Sequence, residues 1–77
     1  MDLDIFDAIR LHLIVKFDVD DARYVAEPYD LRPLGGQVSL RAFVVQGPTA
    51  GWAEFPRWTN LDITRENFLP RKGQAKA

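Results

Sequence analysis

Hydrophobic and polar positions change their spacing near residue 13, and that change divides the chain into one helix and a series of strands. Ile5, Phe6, Ile9 and Leu13 recur at separations of three and four, which puts an apolar stripe on a helix predicted over residues 3–12. Asp2 or Asp4 can cap its N-terminus, where a carboxylate suits the helix dipole. From Leu13 the period becomes two. Leu13, Val15, Phe17 and Val19 alternate with Ile14, Lys16 and Asp18, the pattern of a strand with one apolar face. Asp20-Asp21 marks a tight turn, although it lacks the glycine of the commonest hairpin turns. A second strand through Arg23, Tyr24, Val25 and Ala26 is expected to stop before Pro28. Proline has no ladder donor and belongs at a strand end or on an edge.

Arg32-Pro33-Leu34-Gly35-Gly36 reads as a loop whose paired glycines permit positive φ at the entry to the next strand. The third strand, Gln37 to Val45, places Val38, Leu40, Ala42 and Val44 on one face and Ser39, Arg41 and Phe43 on the other. Gln46 to Gly51 forms another loop. Trp52-Ala53-Glu54-Phe55 is extended until Pro56 interrupts it, and a last strand from Trp58 to Ile63 turns Leu61 and Ile63 to the core. Phe68 is expected to dock the chain back onto the barrel, and the polar tail over residues 71–77 is expected to be disordered. With no repeat and no linker, residues 1–70 form a single domain. It is mainly β, with five antiparallel strands and a helix that lies on the sheet or covers one end of a barrel.

Composition narrows the chemistry. The chain has 77 residues, no cysteine and one histidine, so disulfides, thiolate metal sites and histidine clusters are excluded. No apolar stretch, Leu13-Ile14-Val15 included, is long enough to span a bilayer. An N-terminus reading Met-Asp-Leu-Asp is acidic where a secretory signal is basic, so a cytoplasmic location is expected. The net charge is −1, yet acidic residues outnumber basic ones up to Leu31 and the order reverses from Arg32 onward. Such asymmetry marks either an anion-binding surface or strands whose charges neutralise one another. Asp18, Asp20 and Asp21 lack the glycine and distal glutamate of a calcium loop. The Gly35-Gly36 corner lacks the lysine and hydroxyl of a phosphate loop. Glu54 and Asp62 offer carboxylates, but so small a domain leaves little room for a catalytic cleft. No enzymatic activity, cofactor or metal is expected, and His12, at the helix-to-strand junction, reads as a surface or cap residue.

The order of these pieces carries a resemblance. The helix, Ile14-Val15-Lys16-Phe17, the corner Val25-Ala26-Glu27-Pro28-Tyr29-Asp30-Leu31, Leu40-Arg41-Ala42-Phe43 and Gly51-Trp52 with Phe55 together resemble a WYL domain in its short, stand-alone bacterial form. Where the family's naming tripeptide would stand, this chain reads Val38-Ser39-Leu40. The family's arginine-bearing ending of the fourth strand is shortened to Phe55-Pro56-Arg57-Trp58. The resemblance implies a small, strongly bent, five-stranded antiparallel β-barrel of the Sm-like type over residues 13–68, with the helix packed against it. It also implies a ligand-sensing module of bacterial transcription regulators, here without a helix-turn-helix of its own.

The residues suited to such a role are Tyr29, Arg41, Phe43, Trp52 and Arg57. Aromatic faces stack bases, and guanidinium groups meet phosphates through paired hydrogen bonds. The expected partner is single-stranded nucleic acid or a nucleotide-like anion, with Arg41 and Arg57 on one exposed patch. The competing reading makes Phe43, Trp52 and Phe55 core residues and Arg41 a cross-strand partner of Glu54 or Asp18. A protein-interaction or self-association module with no small ligand, or one that joins a regulator protein, is the alternative function.

Overall fold

The computed structural model describes residues 3–71. Helix α1 spans Ile5–Leu11 and is followed by β1 (Leu13–Val19), β2 (Ala22–Leu34), β3 (Gln37–Gln46), β4 (Gly51–Phe55) and β5 (Thr59–Asn67). These five strands form one antiparallel sheet in the order β4-β3-β2-β1-β5. No ladder joins β4 to β5 among the described residues, so the sheet is open. Within the described residues no helix is long and apolar enough to cross a membrane.

Asp4 is the helix cap. Its Oδ1 accepts from the Asp7 N–H at 3.0 Å, and the Asp4 N–H donates to Asp7 Oδ2 at 3.1 Å, a reciprocal capping box. The bond from the Asp4 N–H, with a second from the Arg10 guanidinium, holds the Asp7 carboxyl below its ordinary pKa. His12 ends the helix in the left-handed region at φ 57°. The stripe differs from the expected one at Phe6, which is 65% exposed, whereas Ile5 and Ala8 are buried. A helix of only 7 residues presents a single narrow stripe to the sheet, and Phe6 falls outside it.

The second strand also departs from expectation. β2 runs through both Pro28 and Pro33 to Leu34 instead of stopping at Ala26. The pairing explains why. β1 accompanies β2 only as far as Ala26, so from Glu27 onward β2 has β3 alone as a ladder neighbour. On the unpaired side a residue without an N–H costs no hydrogen bond. The loop expected over residues 32–36 shrinks to Gly35 and Gly36 (φ 54° and 84°), a two-residue turn with both central φ values positive. Asp20 and Asp21 adopt the same handedness at φ 49° and 69°, a turn that aspartate tolerates better than most residues. The last strand, β5, extends to Asn67, four residues beyond Ile63.

The core lies on one face of the sheet. Val15, Phe17, Ala26, Leu40, Ala42 and Val44 are buried there, in one cluster with Ile5 and Ala8 of the helix. Phe55, paired with Leu40 on β3, still brings its ring within 5.0 Å of both Phe17 and Tyr24 on the first hairpin. The sheet therefore curls over its own apolar face. A register shift between Pro28 and Asp30 aids this bend and leaves Tyr29 as an extra residue on β2.

Candidate binding site

Antiparallel register fixes which side chains share the face opposite the core. Phe43 pairs with Glu27 on one side and Trp52 on the other, while Arg41 pairs with Asp30 and Glu54. Alternation places Glu27, Phe43, Arg41, Trp52 and Glu54 together, and the bulge adds Tyr29. The rings form a connected group: Phe43 to Trp52 at 5.2 Å, Trp52 to Tyr29 at 4.8 Å, and Tyr29 to Phe68 at 5.4 Å. These spacings suit tilted and edge-to-face contact. Phe68 reaches the group because its N–H donates to the His12 carbonyl at 3.0 Å, which carries the chain past the helix end after β5. Its ring meets the His12 ring edge-on at 5.6 Å.

Two guanidinium groups lie on these rings. Arg41 sits 5.0 Å from the Trp52 centroid, and Arg71 sits 3.8 Å from that of Phe43. Glu54, the register partner of Arg41, instead accepts from Arg32 Nη1 at 3.3 Å. Arg71 forks Glu27, with Nε donating to Oε1 at 2.9 Å and Nη2 to Oε2 at 3.3 Å. Tyr29 links the two ends of that fork. Its hydroxyl donates to Glu27 Oε1 at 3.2 Å and accepts from the Arg71 backbone N–H at 2.8 Å. Burial, with the Glu27 carboxylate adding to it, holds the Tyr29 hydroxyl above its ordinary pKa.

Four of the five residues singled out from the sequence thus lie in one cluster: Tyr29, Arg41, Phe43 and Trp52. Arg57 does not join them. Its Nη2 donates to Asp20 Oδ1 at 2.8 Å, on the turn between β1 and β2. Pro56 ends β4 and turns the chain away, so closeness to Trp52 in sequence does not become closeness in space. Of the three aromatics with a competing core assignment, Phe55 is core, Phe43 is half-buried, and Trp52 is 37% exposed.

Two residues of the cluster were not foreseen. Glu27 is buried at 6% exposure, and Arg71 belongs to the stretch expected to be disordered. Arg71 is in fact tied to β2 and β3, and the rest of that stretch, 72–77, lies outside the described residues. The available signal was Glu27 itself, a charge between Ala26 and Pro28 that needs a partner when its strand is buried.

The open part of this face is a shallow depression of about 340 Å³ lined by Arg41, Trp52, Ala53 and Glu54. A second groove of about 570 Å³, lined by Asp30, Leu31, Arg32, Pro33 and Glu54, adjoins it at Glu54. A further groove, about 680 Å³, lies elsewhere, between Lys16, Arg23, Gln46, Gly47 and Asp62. No aromatic side chain lines it, so of these three grooves the one beside Trp52 carries the chemistry for stacking. Compared with protein-family models, curated proteins and solved structures, the chain matches none.

Proposed function

We propose that the chain is a non-catalytic, WYL-like binding module whose Trp52–Arg41 surface takes an unstacked base or nucleotide-like anion. The observation that carries this reading is the half-exposed Trp52 ring with the Arg41 guanidinium 5.0 Å from its centroid, beside a shallow open depression. A base stacks on the indole while its phosphate meets Arg41. The curled sheet, with Phe55 reaching Phe17 and Tyr24, supports a small Sm-like barrel as the frame. By the same resemblance the role is regulatory, in bacterial transcription and in the cytoplasm, with specificity residing in a partner or ligand.

Charge balance sets the expected strength. Asp30, Glu54 and Glu27 surround Arg32, Arg41 and Arg71, so stacking rather than net charge dominates binding. The test is a fluorescence titration with short single-stranded DNA and RNA at two salt concentrations. One phosphate contact predicts a log K against log salt slope of about −0.7. Trp52→Ala should weaken binding by about 1–3 kcal/mol, the worth of one stacked base. Arg41→Ala should flatten the salt dependence. Binding by the Arg41→Ala variant equal to wild type and equally salt-sensitive overturns the reading.

A second reading, self-association or docking on a regulator protein, rests on Leu3, Phe6 and Leu11, three exposed apolar side chains on or beside α1. A monomer at high concentration in sedimentation counts against the self-associating form.

A further inference from the structure

The Glu27 site has a chemistry distinct from that of the Trp52–Arg41 surface, and it does not depend on that surface binding anything. Its carboxylate side chain is 8% exposed, on a strand between Ala26 and Pro28, both buried. Burying a carboxylate costs free energy unless a close cationic partner and hydrogen bonds offset it. The walls around it are specific in shape. Both carboxylate oxygens point to the fork of Arg71, the Phe43 ring lies flat-on to the guanidinium carbon at 3.8 Å, and the Tyr29 hydroxyl bonds Glu27 Oε1 at 3.2 Å. A two-oxygen acceptor beside an aromatic face matches a planar guanidinium and mismatches a compact ammonium.

The occupant is lightly held by its own chain. Leu69 is 88% exposed and Pro70 is exposed, and neither belongs to a strand. The Arg71 side chain itself is 42% exposed, so solvent reaches part of it even while it is paired with Glu27. Phe68 anchors the segment further back, through the His12 carbonyl and the Tyr29 ring. Arg71 can therefore leave the site without unpairing any strand.

We propose that Glu27, Tyr29 and Phe43 form a guanidinium-binding pocket, filled here by the chain's own Arg71, for which an arginine side chain supplied from outside competes. The ligand class is a guanidinium group, carried by free arginine or by an arginine in another polypeptide. Arg71 acts as a tethered competitor. An external ligand sees the pocket only in the fraction of molecules where Arg71 is out, and its apparent affinity falls by that fraction.

The test titrates the 15N-labelled full chain with N-acetylarginine amide, following the amide resonances of Glu27, Tyr29 and Phe43. N-acetyllysine amide and N-acetylcitrulline amide serve as controls for charge shape and for charge. A glycine-flanked single-arginine peptide separates a polypeptide source from the free amino acid. Arg71→Ala is expected to bind the arginine amide at least about tenfold tighter than wild type does, as follows if Arg71 fills the pocket nine-tenths of the time or more. It should prefer arginine to lysine amide by about tenfold, the difference between a fork and a point charge. Adding Glu27→Gln to that variant should remove the preference. If Arg71→Ala does not fold, Arg71→Lys takes its place, and the arginine amide should displace the lysine with the same order of preference. Equal binding of arginine and citrulline amides, or a preference that survives Glu27→Gln, overturns the proposal. So does an arginine amide that binds wild type and the Arg71 variant alike.

Discussion

Replacing Arg71 by alanine isolates the contact that closes the second face of the sheet. The change removes a fork of two charge-assisted hydrogen bonds, at 2.9 and 3.3 Å, and a guanidinium 3.8 Å from the Phe43 centroid. It keeps the backbone N–H that donates to Tyr29. Hydrogen bonds to a charged group contribute about 1.5–3 kcal/mol, and an exposed cation–π contact about 0.5–1 kcal/mol. Because the Arg71 side chain is 42% exposed, its loss also lets water reach Glu27, which draws the cost toward the lower end. The expected destabilisation is about 2 kcal/mol, equivalent to a fall in Tm of about 8–16 °C for a domain of this size.

Glu27→Gln should cost less, about 1 kcal/mol, because the neutral amide needs no buried counter-charge and Arg71 can turn to water. The double variant should cost less than the two single changes together, with a coupling of about 1–2 kcal/mol. Urea unfolding followed by far-UV circular dichroism reads all three values, with m unchanged across the set. Additive costs, or an Arg71→Ala variant within about 0.5 kcal/mol of wild type, would refute the reasoning.

Two further perturbations test the hairpin ends. Gly47 has φ 155°, and a Cβ there would stand 3.0 Å from Tyr24 Cδ2 and 3.4 Å from the Arg23 carbonyl. Gly47→Ala should therefore cost about 1–3 kcal/mol in the urea midpoint, as overpacking does, and an unchanged midpoint would contradict this geometry. Asp18 accepts from Asn60 Nδ2 at 2.8 Å and from Arg23 Nη1 at 3.0 Å, and these bonds hold its carboxyl below the ordinary value of 3.8. A depressed folded-state pKa stabilises the fold above the unfolded value and loses that contribution as pH falls through the folded one. Stability should thus decline on acidification below about pH 4, the unfolded aspartate range. Asn60→Gly, which preserves the positive φ of 54° while deleting the hydrogen bond, should make that decline shallower. An unaltered urea midpoint profile between about pH 2 and 6 would remove Asn60 from the account.

The legible parts of this fold are those written at short range. Alternation from Leu13 to Val19 and from Leu40 to Val44 depends only on which neighbours are apolar, and the strands follow it, whereas at the start of β3 the expected order reverses, with Val38 50% exposed and Ser39 buried. The glycine pair and the Asp20-Asp21 turn are similarly local. Pro28 misled because its missing donor matters only where a ladder neighbour exists, and the extent of β1–β2 pairing is a property of the whole sheet. Phe6 joined the apparent stripe by spacing alone, yet a two-turn helix on a curved sheet buries fewer positions than the stripe suggests.

The candidate site divides in the same way. Arg41 and Phe43 share a face because they lie two apart on one strand, and Trp52 joins them through a ladder the sequence makes plausible. Alternation, turn chemistry and composition were thus enough to determine an antiparallel β domain with a leading helix and an aromatic, arginine-bearing face. Tertiary structure alone decided that Arg57 turns to Asp20 and that Arg71 crosses 44 positions of sequence to fork Glu27. A polar tail carries no periodicity that names its partner. The physical reason is that a buried carboxylate requires a cation, while which cation arrives depends on where β5 and Phe68 deliver the chain.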